Sequence, residues 1–189
     1  SYHTSTYWGG ITGGIEIEAK LPNSVDKVKI SPNVPQNQVN VKVNINQGRT
    51  VEQTGWTLKV KVIQQDGTVI CTENRELLMN NNTDRLEQSL NLDMGDNPNY
   101  WSSTNPYLYT IETSLLYEDQ EYDLHQTTFG FRSIHTSKNQ ILINNEPVFL
   151  TGYVDCCVFP QTGYPVWDKQ HYKKQFKIAK SYGFNHVRL

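Results

Sequence analysis

The sequence predicts a mainly β chain: a β-sandwich, then a hairpin, then one β-α-β unit. Between Val25 and Phe131, apolar side chains recur at every second position in short runs, which is the period of half-buried strands. After Phe131 the pattern changes to short apolar runs that flank a helical segment, Asp168 to Gly183. A length of 189 residues allows one large domain, or one sandwich with an appendage.

The chain opens with a glycine-rich stretch, Tyr7 to Gly14, and then alternates apolar and charged residues from Ile15 to Lys20. The alternation predicts an edge strand that stops at Pro22, because proline cannot donate a hydrogen bond to a neighbouring strand.

Seven strands are predicted in the next 110 or so residues, joined by turn-rich loops. Asp66-Gly67 favours a tight hairpin turn because both residues tolerate a positive φ. This number of strands, without a cysteine pair, is typical of an immunoglobulin-like sandwich of the non-antibody kind. The predicted strands are Val28–Ile30, Val39–Ile45, Trp56–Val62, Val69–Cys71, Leu86–Leu92, Tyr107–Leu115 and Tyr122–Phe131.

The last third of the chain predicts a hairpin and a parallel crossover. Gln140 to Ile143 and Pro147 to Leu150 are separated by Asn144, Asn145 and Glu146, and tandem asparagine suits a tight turn. Phe149 to Val154 is expected to be a buried strand. Asp168 has the composition of a helix N-cap, Gly183 fits the end of that helix, and Phe184 to Leu189 returns as a strand.

Charge and cysteine content argue against several functional classes. Seventeen basic and nineteen acidic residues give a net charge of -2 without a basic stripe, so nucleic acid and anionic membrane are poor candidates for partners. Three cysteines and dispersed histidines form no disulfide framework or spaced metal motif, so no metal and no cofactor is expected. A β-rich composition with frequent Asn, Gln, Thr and Tyr favours a periplasmic or extracellular protein.

Three motifs follow one another in order. The first is Trp101 with Asn105-Pro106-Tyr107-Leu108-Tyr109. The second combines Phe129-Gly130-Phe131-Arg132 with Asn145-Glu146-Pro147-Val148-Phe149-Leu150-Thr151-Gly152, and the third is Lys180-Ser181-Tyr182-Gly183-Phe184-Asn185-His186-Val187-Arg188. Together they resemble glycoside hydrolase family 2, which includes β-galactosidases, β-glucuronidases and β-mannosidases.

The resemblance implies a domain plan. Residues 1–22 would be the last strand of a jelly-roll sugar-binding domain, residues 23–134 the immunoglobulin-like sandwich, and residues 135–189 the truncated start of a catalytic (β/α)8, or TIM, barrel. An isolated β-α-β unit would leave sheet edges and one apolar face uncovered, so the sequence predicts that the barrel continues beyond Leu189.

The resemblance also implies a retaining glycosidase, which needs an acid and a carboxylate nucleophile flanking the sugar. In the family both glutamates lie on later barrel strands, so no catalytic residue is predicted here and the piece alone should be inactive. Arg188 matches an arginine that keeps the nucleophile ionised. Asp155 could bind a sugar hydroxyl or cap its loop, and Trp167, with Tyr164, has a claim to the substrate side. The partner would be a carbohydrate, and the full-length protein could be a homo-oligomer.

A second reading is a free-standing immunoglobulin-like module of a carbohydrate-binding or adhesin type. Such a module would pack its C-terminal helix into its own core. A piece of a barrel would leave the apolar side chains of that region exposed.

Overall fold

The computed structural model describes residues 11, 13–48, 52–80, 82–156, 159 and 161–188. The chain falls into two compact units, one formed by Ser1–Glu18 with Val148–Leu189 and the other by Ala19–Pro147. Residues 13–22 contain no strand, and the side chain of Ile17 is fully exposed. The predicted strand after Gly14 is therefore wrong, because among the described residues no neighbouring strand lies alongside to pair with it. The three predicted domains stay predictions.

Ala19–Pro147 is built on two antiparallel sheets. The first has three strands in the order β1-β2-β5 and the second has four in the order β4-β3-β6-β7. A single-turn 3-10 helix, Val34–Gln36, joins β1 to β2. All seven predicted strands of this region are present, mostly longer than predicted. Their bounds are β1 Ser24–Asn33, β2 Gln38–Asn46, β3 Trp56–Ile63, β4 Val69–Leu77, β5 Arg85–Asp93, β6 Tyr109–Tyr117 and β7 Gln120–Phe129.

Alternation of apolar and polar residues creates one core between these sheets. In β2, Val39, Val41, Val43 and Ile45 are fully buried, while the intervening asparagine and lysine side chains lie on the other face. The β3 side chains from Trp56 to Val62 repeat the pattern in the second sheet. Both sets belong to the same apolar cluster, so the mainly β prediction is confirmed.

Turn chemistry explains two of the connections. Gly67 has a φ of 88°, and the carboxylate of Asp66 accepts a hydrogen bond from the amide of Thr68 at 2.9 Å, so the predicted hairpin turn between β3 and β4 is confirmed. The turn between β6 and β7 was not predicted. It places Glu118 and Asp119 at φ values of 48° and 63°, a left-handed conformation that asparagine or glycine more commonly adopts.

The outer face of the four-stranded sheet carries a cross-strand charge network. The Lys61 ammonium lies 2.6 Å from one Glu112 carboxylate oxygen, and the Gln126 amide donates to the other at 2.9 Å. These hydrogen bonds stabilise the ionised carboxylate and hold the pKa of Glu112 below its usual value.

Three short strands follow β7: β8 is Ile134–Ser137, β9 is Gln140–Ile143 and β10 is Glu146–Val148. They form a small sheet in the order β10-β9-β8. The predicted asparagine turn is confirmed, since Asn144 and Asn145 have φ values of 52° and 68°. Strand β8 was not predicted. It pairs antiparallel with β9 across a turn at Lys138, whose φ is also positive.

Trp101 is held against the end of β7. Its amide donates to the Phe131 carbonyl at 3.0 Å, and the Arg132 guanidinium carbon lies 4.0 Å from the centroid of its ring. Gly130 contacts the ring so closely that a Cβ there would lie 2.8 Å from the Trp101 Cγ. Only glycine fits this position without displacing the indole.

Asn144 ties the hairpin to the Trp101 loop. Its side-chain amide donates to the Trp101 carbonyl at 2.9 Å, while its side-chain oxygen accepts from the Ser133 amide at 2.9 Å. We call Trp101, Gly130, Arg132 and Asn144 the joint. It connects loops 43 residues apart in the sequence, within the Ala19–Pro147 unit.

The other unit contains β11, Gly152–Val154, then α1, Lys169–Ser181, then β12, His186–Arg188. The predicted helix is confirmed, but the predicted buried strand Phe149–Val154 is wrong in length and burial. Phe149 is 85% exposed and outside the strand, and Val154 is 61% exposed. Strands β11 and β12 form the sheet of this unit, and the single helix α1 can cover only one face of it. Within the described residues, no helix has the length and apolar character to cross a bilayer.

Candidate functional site

Strands β11 and β12 form a parallel pair in which Gly152 lies opposite His186 and Val154 lies opposite Arg188. Asn185 fixes the beginning of the pair. Its side-chain oxygen accepts from the Thr151 amide, and its side-chain amide donates to the Phe149 carbonyl, each at 2.9 Å. The carboxyl ends of both strands therefore meet at one edge, where loop residues can build a site.

The helix that connects the strands starts at that same edge. The Asp168 carboxylate accepts from the Gln170 amide at 2.9 Å, so the predicted N-cap is confirmed. At the other end Gly183 has a φ of 81°, the left-handed conformation that glycine adopts without strain. The first two turns of α1 consequently face the loop that follows β11.

A cleft of about 620 Å³ lies between this loop and the first turns of α1. Its polar lining comes from Tyr153 and Asp155 on the strand side and from Asp168, His171 and Gln175 on the helix side. Asp168 is the N-cap, and His171 and Gln175 are separated by four residues within α1, which places these two side chains on one face of the helix. Phe159 and Val166 supply apolar surface, so the cleft combines hydrogen-bonding groups with an apolar wall.

Asp155 forms hydrogen bonds with both the helix α1 and the strand β12. Its carboxylate accepts from the Gln175 side-chain amide at 3.1 Å, and its own amide donates to the Arg188 carbonyl at 2.9 Å. This geometry suits the loop-capping alternative. The substrate-binding alternative for Asp155 stays a prediction.

The hydroxyl of Tyr153 is buried and has no hydrogen-bond partner among the residues that the structure describes. Its ring packs edge-on against Phe184 at 5.7 Å between centroids. A buried hydroxyl without a partner loses the hydrogen bonds that it made to water, so a ligand or side chain that supplied one would be stabilised there. Donors and acceptors of both kinds line the cleft, which suits a ligand rich in hydroxyl groups. Among the described residues, no group of three or more His, Cys, Asp or Glu could hold a metal ion.

Asp155 and Arg188 do not share a surface. Along the strands Tyr153 and Val187 are half-buried, while their neighbours Val154, His186 and Arg188 are exposed. Side chains alternate between the two faces of a sheet, so Arg188 lies on the open face, whereas Asp155 contacts the helix. Two of the predicted substrate-binding residues are thus brought near one edge but onto opposite faces.

Trp167 lies beside the cleft without lining it. The ring is 68% exposed and lies against the backbone of Gly13, where an added Cβ would be 2.5 Å from the Trp167 Cζ2. Tyr164 is also exposed. The structure therefore does not gather Asp155, Arg188 and Trp167 into one cluster, and their roles stay predictions. Sequence reasoning missed Tyr153, His171 and Gln175, although the four-residue spacing of His171 and Gln175 in the predicted helix could have indicated a shared polar face.

Comparison with known proteins gives the family. The family model described as "Glycosyl hydrolases family 2" matches residues 23–132. The β-galactosidase of Staphylococcus xylosus is 34% identical over 92 residues, 49% of this chain and 9% of that protein. A putative β-glucuronidase of Formosa agariphila is 25% identical over 184 residues, 96% of this chain and 21% of that protein.

Solved structures agree in fold. A putative β-galactosidase from Bacteroides fragilis superposes with a TM-score of 0.74 at 18% identity, over 89% of this chain and 26% of that one. The β-glucuronidase from Ruminococcus gnavus, in complex with D-glucuronic acid, gives 0.63 at 20% identity, over 87% of this chain and 26% of that one. This chain belongs to glycosyl hydrolase family 2. It spans between about a tenth and a quarter of the length of these relatives.

Proposed function

We propose that this chain is part of a retaining glycoside hydrolase that cleaves O-glycosidic bonds, and that it supplies the sandwich and the first unit of the catalytic barrel. The observation that carries the proposal is the continuous likeness to the Formosa agariphila relative, which runs over 184 residues and so across both units. The named relatives are β-galactosidases and β-glucuronidases, so a β-galactoside or a β-glucuronide is the first substrate class to test.

The strand order supports an immunoglobulin-like assignment for the sandwich. Three strands, β1-β2-β5, face four, β4-β3-β6-β7, and the first two strands pair as a hairpin. Tyr109 stands at the start of β6 and accepts a hydrogen bond from the amide of Asn99, ten residues upstream, at 2.6 Å. This contact is like the tyrosine corner of such sandwiches. The sandwich would act as a spacer that positions the barrel.

The β-α-β unit suits the start of a barrel because the edges of its two-stranded sheet can pair with further strands and one of its faces is uncovered. Its uncovered apolar side chains, among them Phe149 and Val154, favour this reading over a self-contained module. In the complete barrel Arg188 would face the interior at the carboxyl end of β12, where its fixed charge would keep a nearby carboxylate ionised. The acid and the nucleophile would come from later strands, and the 189-residue chain alone would be inactive.

The remaining roles follow from this placement. Asp155 would bind a sugar hydroxyl or hold its loop through Gln175, and Trp167 would offer an aromatic face to the substrate beside the cleft. The protein would need no cofactor, and its partner would be a carbohydrate. The complete enzyme would act in the periplasm or outside the cell. A homo-oligomer is one arrangement to test.

The test compares this chain with one that extends through the whole barrel, on nitrophenyl β-galactoside, β-glucuronide and β-mannoside. We expect turnover by the extended chain alone, and the preferred substrate would name the sugar. In the extended chain, Arg188→Gln should lower kcat/KM and move the acidic limb of the pH profile upward, because the nucleophile would lose its positive neighbour. Arg75→Gln, at an exposed position on β4 outside the joint, is the matched control and should leave that limb in place.

Other outcomes would contradict the proposal. Turnover by the 189-residue chain would show that its own carboxylates suffice. An extended chain that binds these sugars without cleaving any of them would favour the carbohydrate-binding module instead.

A further inference from the structure

Helix α1 collects lysines along one side. Lys169, Lys173, Lys177 and Lys180 fall within an arc of about 80° and span about 16 Å, at 100° and 1.5 Å per residue. We call these four the lysine stripe. All four side chains are exposed, as is Lys174 beside them. The sequence expectation of no basic stripe overlooked these lysines, whose spacings of four, four and three residues fall within the helix that the sequence predicts.

No acidic side chain offsets the stripe. The helix contains no Asp or Glu, and within the described part of the chain none of its five ammonium groups has an ion-pair or hydrogen-bond partner. Residues 148–189 hold six basic residues and two acidic ones, a net charge of +4. The two acids, Asp155 and Asp168, already accept hydrogen bonds from Gln175 and from the Gln170 amide.

The rest of the chain has the opposite charge. Residues 1–147 contain eleven basic and seventeen acidic residues, a net charge of -6. The net negative charge of residues 1–147 therefore repels a polyanion, whereas the lysine stripe attracts it. A local excess of positive charge on α1 attracts a chain of negative charge over about one Debye length.

The geometry of the stripe suits a linear ligand. Successive lysines are separated along the axis by about 6, 6 and 4.5 Å, spacings comparable with the length of one sugar ring. The ammonium groups are arranged in a row along the helix and do not converge on one point, as a single phosphate would require. Lysine is also a compact point charge without the planar fork that favours base edges or a fixed bidentate anion.

We propose that the lysine stripe is a docking surface for a linear anionic polysaccharide, one that carries carboxylate or sulfate groups. The choice of a polysaccharide rests on the proposed function, since a glycoside hydrolase encounters its substrate as carbohydrate. Binding comes mainly from the release of counterions, so it is weak, insensitive to the order of the sugars and strongly dependent on salt. Its effect is to retain a charged polymer near the strand ends of β11 and β12.

The experiment uses the 189-residue chain and three probes: heparin fragments, polygalacturonate and neutral dextran. Affinity is measured by calorimetry or fluorescence over a series of salt concentrations. We expect binding to the two anionic polymers and none to dextran. Lys173→Gln with Lys177→Gln should weaken binding about tenfold at low salt and reduce the log-log salt slope by about 1.4, or about 0.7 for each charge removed. Glutamine has a helix propensity similar to that of lysine, so the helix is retained.

Two matched variants make the test specific. Lys27→Gln with Lys29→Gln removes the same charge from exposed positions on β1 and should change the affinity less than twofold. Lys173→Arg with Lys177→Arg keeps the charge and should keep the binding. Circular dichroism confirms that each variant is folded.

An equal loss of affinity in the stripe variant (Lys173→Gln with Lys177→Gln) and in the β1 variant (Lys27→Gln with Lys29→Gln) would overturn the proposal, since net charge would then explain binding. So would the absence of binding to either anionic polymer, or tighter binding to duplex DNA or to anionic lipid vesicles than to the polysaccharides. The proposed function has its own readout, because hydrolysis of small nitrophenyl glycosides by the extended chain does not require the stripe. Hydrolysis by the extended chain without polysaccharide binding would reject the docking role of the lysine stripe and leave the proposed hydrolase function in place.

Discussion

Replacing Gly130 with alanine tests how tightly the joint is packed. The added Cβ would lie 2.8 Å from the Cγ and Cδ1 atoms of Trp101, about 1 Å inside an ordinary contact between carbon atoms. The ring cannot retreat freely, since its residue is held by hydrogen bonds to Phe131 and Asn144 and its face lies against Arg132. Overpacking and the loss of the cation-π contact should together cost about 2 to 3 kcal/mol.

The assay is urea unfolding of Gly130→Ala followed by tryptophan fluorescence, with a thermal scan beside it. A loss of this size corresponds to a fall in Tm of about 5 to 10 °C for a chain of this length. Gly14→Ala is the control, because an added Cβ there meets nothing within 4 Å. In a Trp101→Ala background the same glycine substitution should cost almost nothing. An unchanged penalty in that background, or a loss below about 0.5 kcal/mol in the parent, would refute the packing argument.

The remaining predictions concern the sandwich. Tyr109→Phe removes a buried hydroxyl that accepts a backbone hydrogen bond at 2.6 Å and should destabilise the fold by about 1 kcal/mol in urea unfolding, whereas Tyr107→Phe, whose contact is 3.4 Å long, should cost less. Thr113→Val removes a buried hydroxyl that has no hydrogen-bond partner in the described part of the chain, and should stabilise the fold by about 1 kcal/mol in urea unfolding. Half-buried Thr110→Val is the neutral control, and a loss of stability for Thr113→Val would contradict the unsatisfied hydroxyl. The folded-state pKa of Glu112 is lowered, so its contribution is present above the unfolded pKa and is lost as pH falls through the folded value. Glu112→Gln should therefore lower the urea midpoint at pH 7 and have a smaller effect as the pH falls below the usual glutamate pKa, and an equal effect at every pH would contradict the linkage.

The sequence alone determined the strands of the sandwich and which side chains they bury. In β2 and β3 each apolar residue is two positions from the next, and this local pattern fixes the buried face before any partner strand is known. Short-range chemistry likewise determined the Asp66-Gly67 turn, the Asn144-Asn145 turn and the Asp168 helix cap. Each depends on backbone preferences that act over a few residues.

Other features needed the tertiary structure, because they depend on residues far apart in the sequence. The pairing of β8 with β9 and the left-handed Glu118-Asp119 turn lacked a local signal. The closure of the joint by Asn144 joins segments 43 residues apart, and no periodic pattern encodes it.

The candidate site shows the same division. Of the three predicted substrate-binding residues only Asp155 lines the cleft, and only the parallel pairing of β11 and β12 decided that Asp155 contacts the helix while Arg188 lies on the open face. The lysine stripe, by contrast, could have been read from the sequence, since the predicted helix and the spacing of its lysines already place them on one side. The sequence thus determined local conformation and burial pattern, whereas the three-dimensional fold decided which charges and polar groups share a surface.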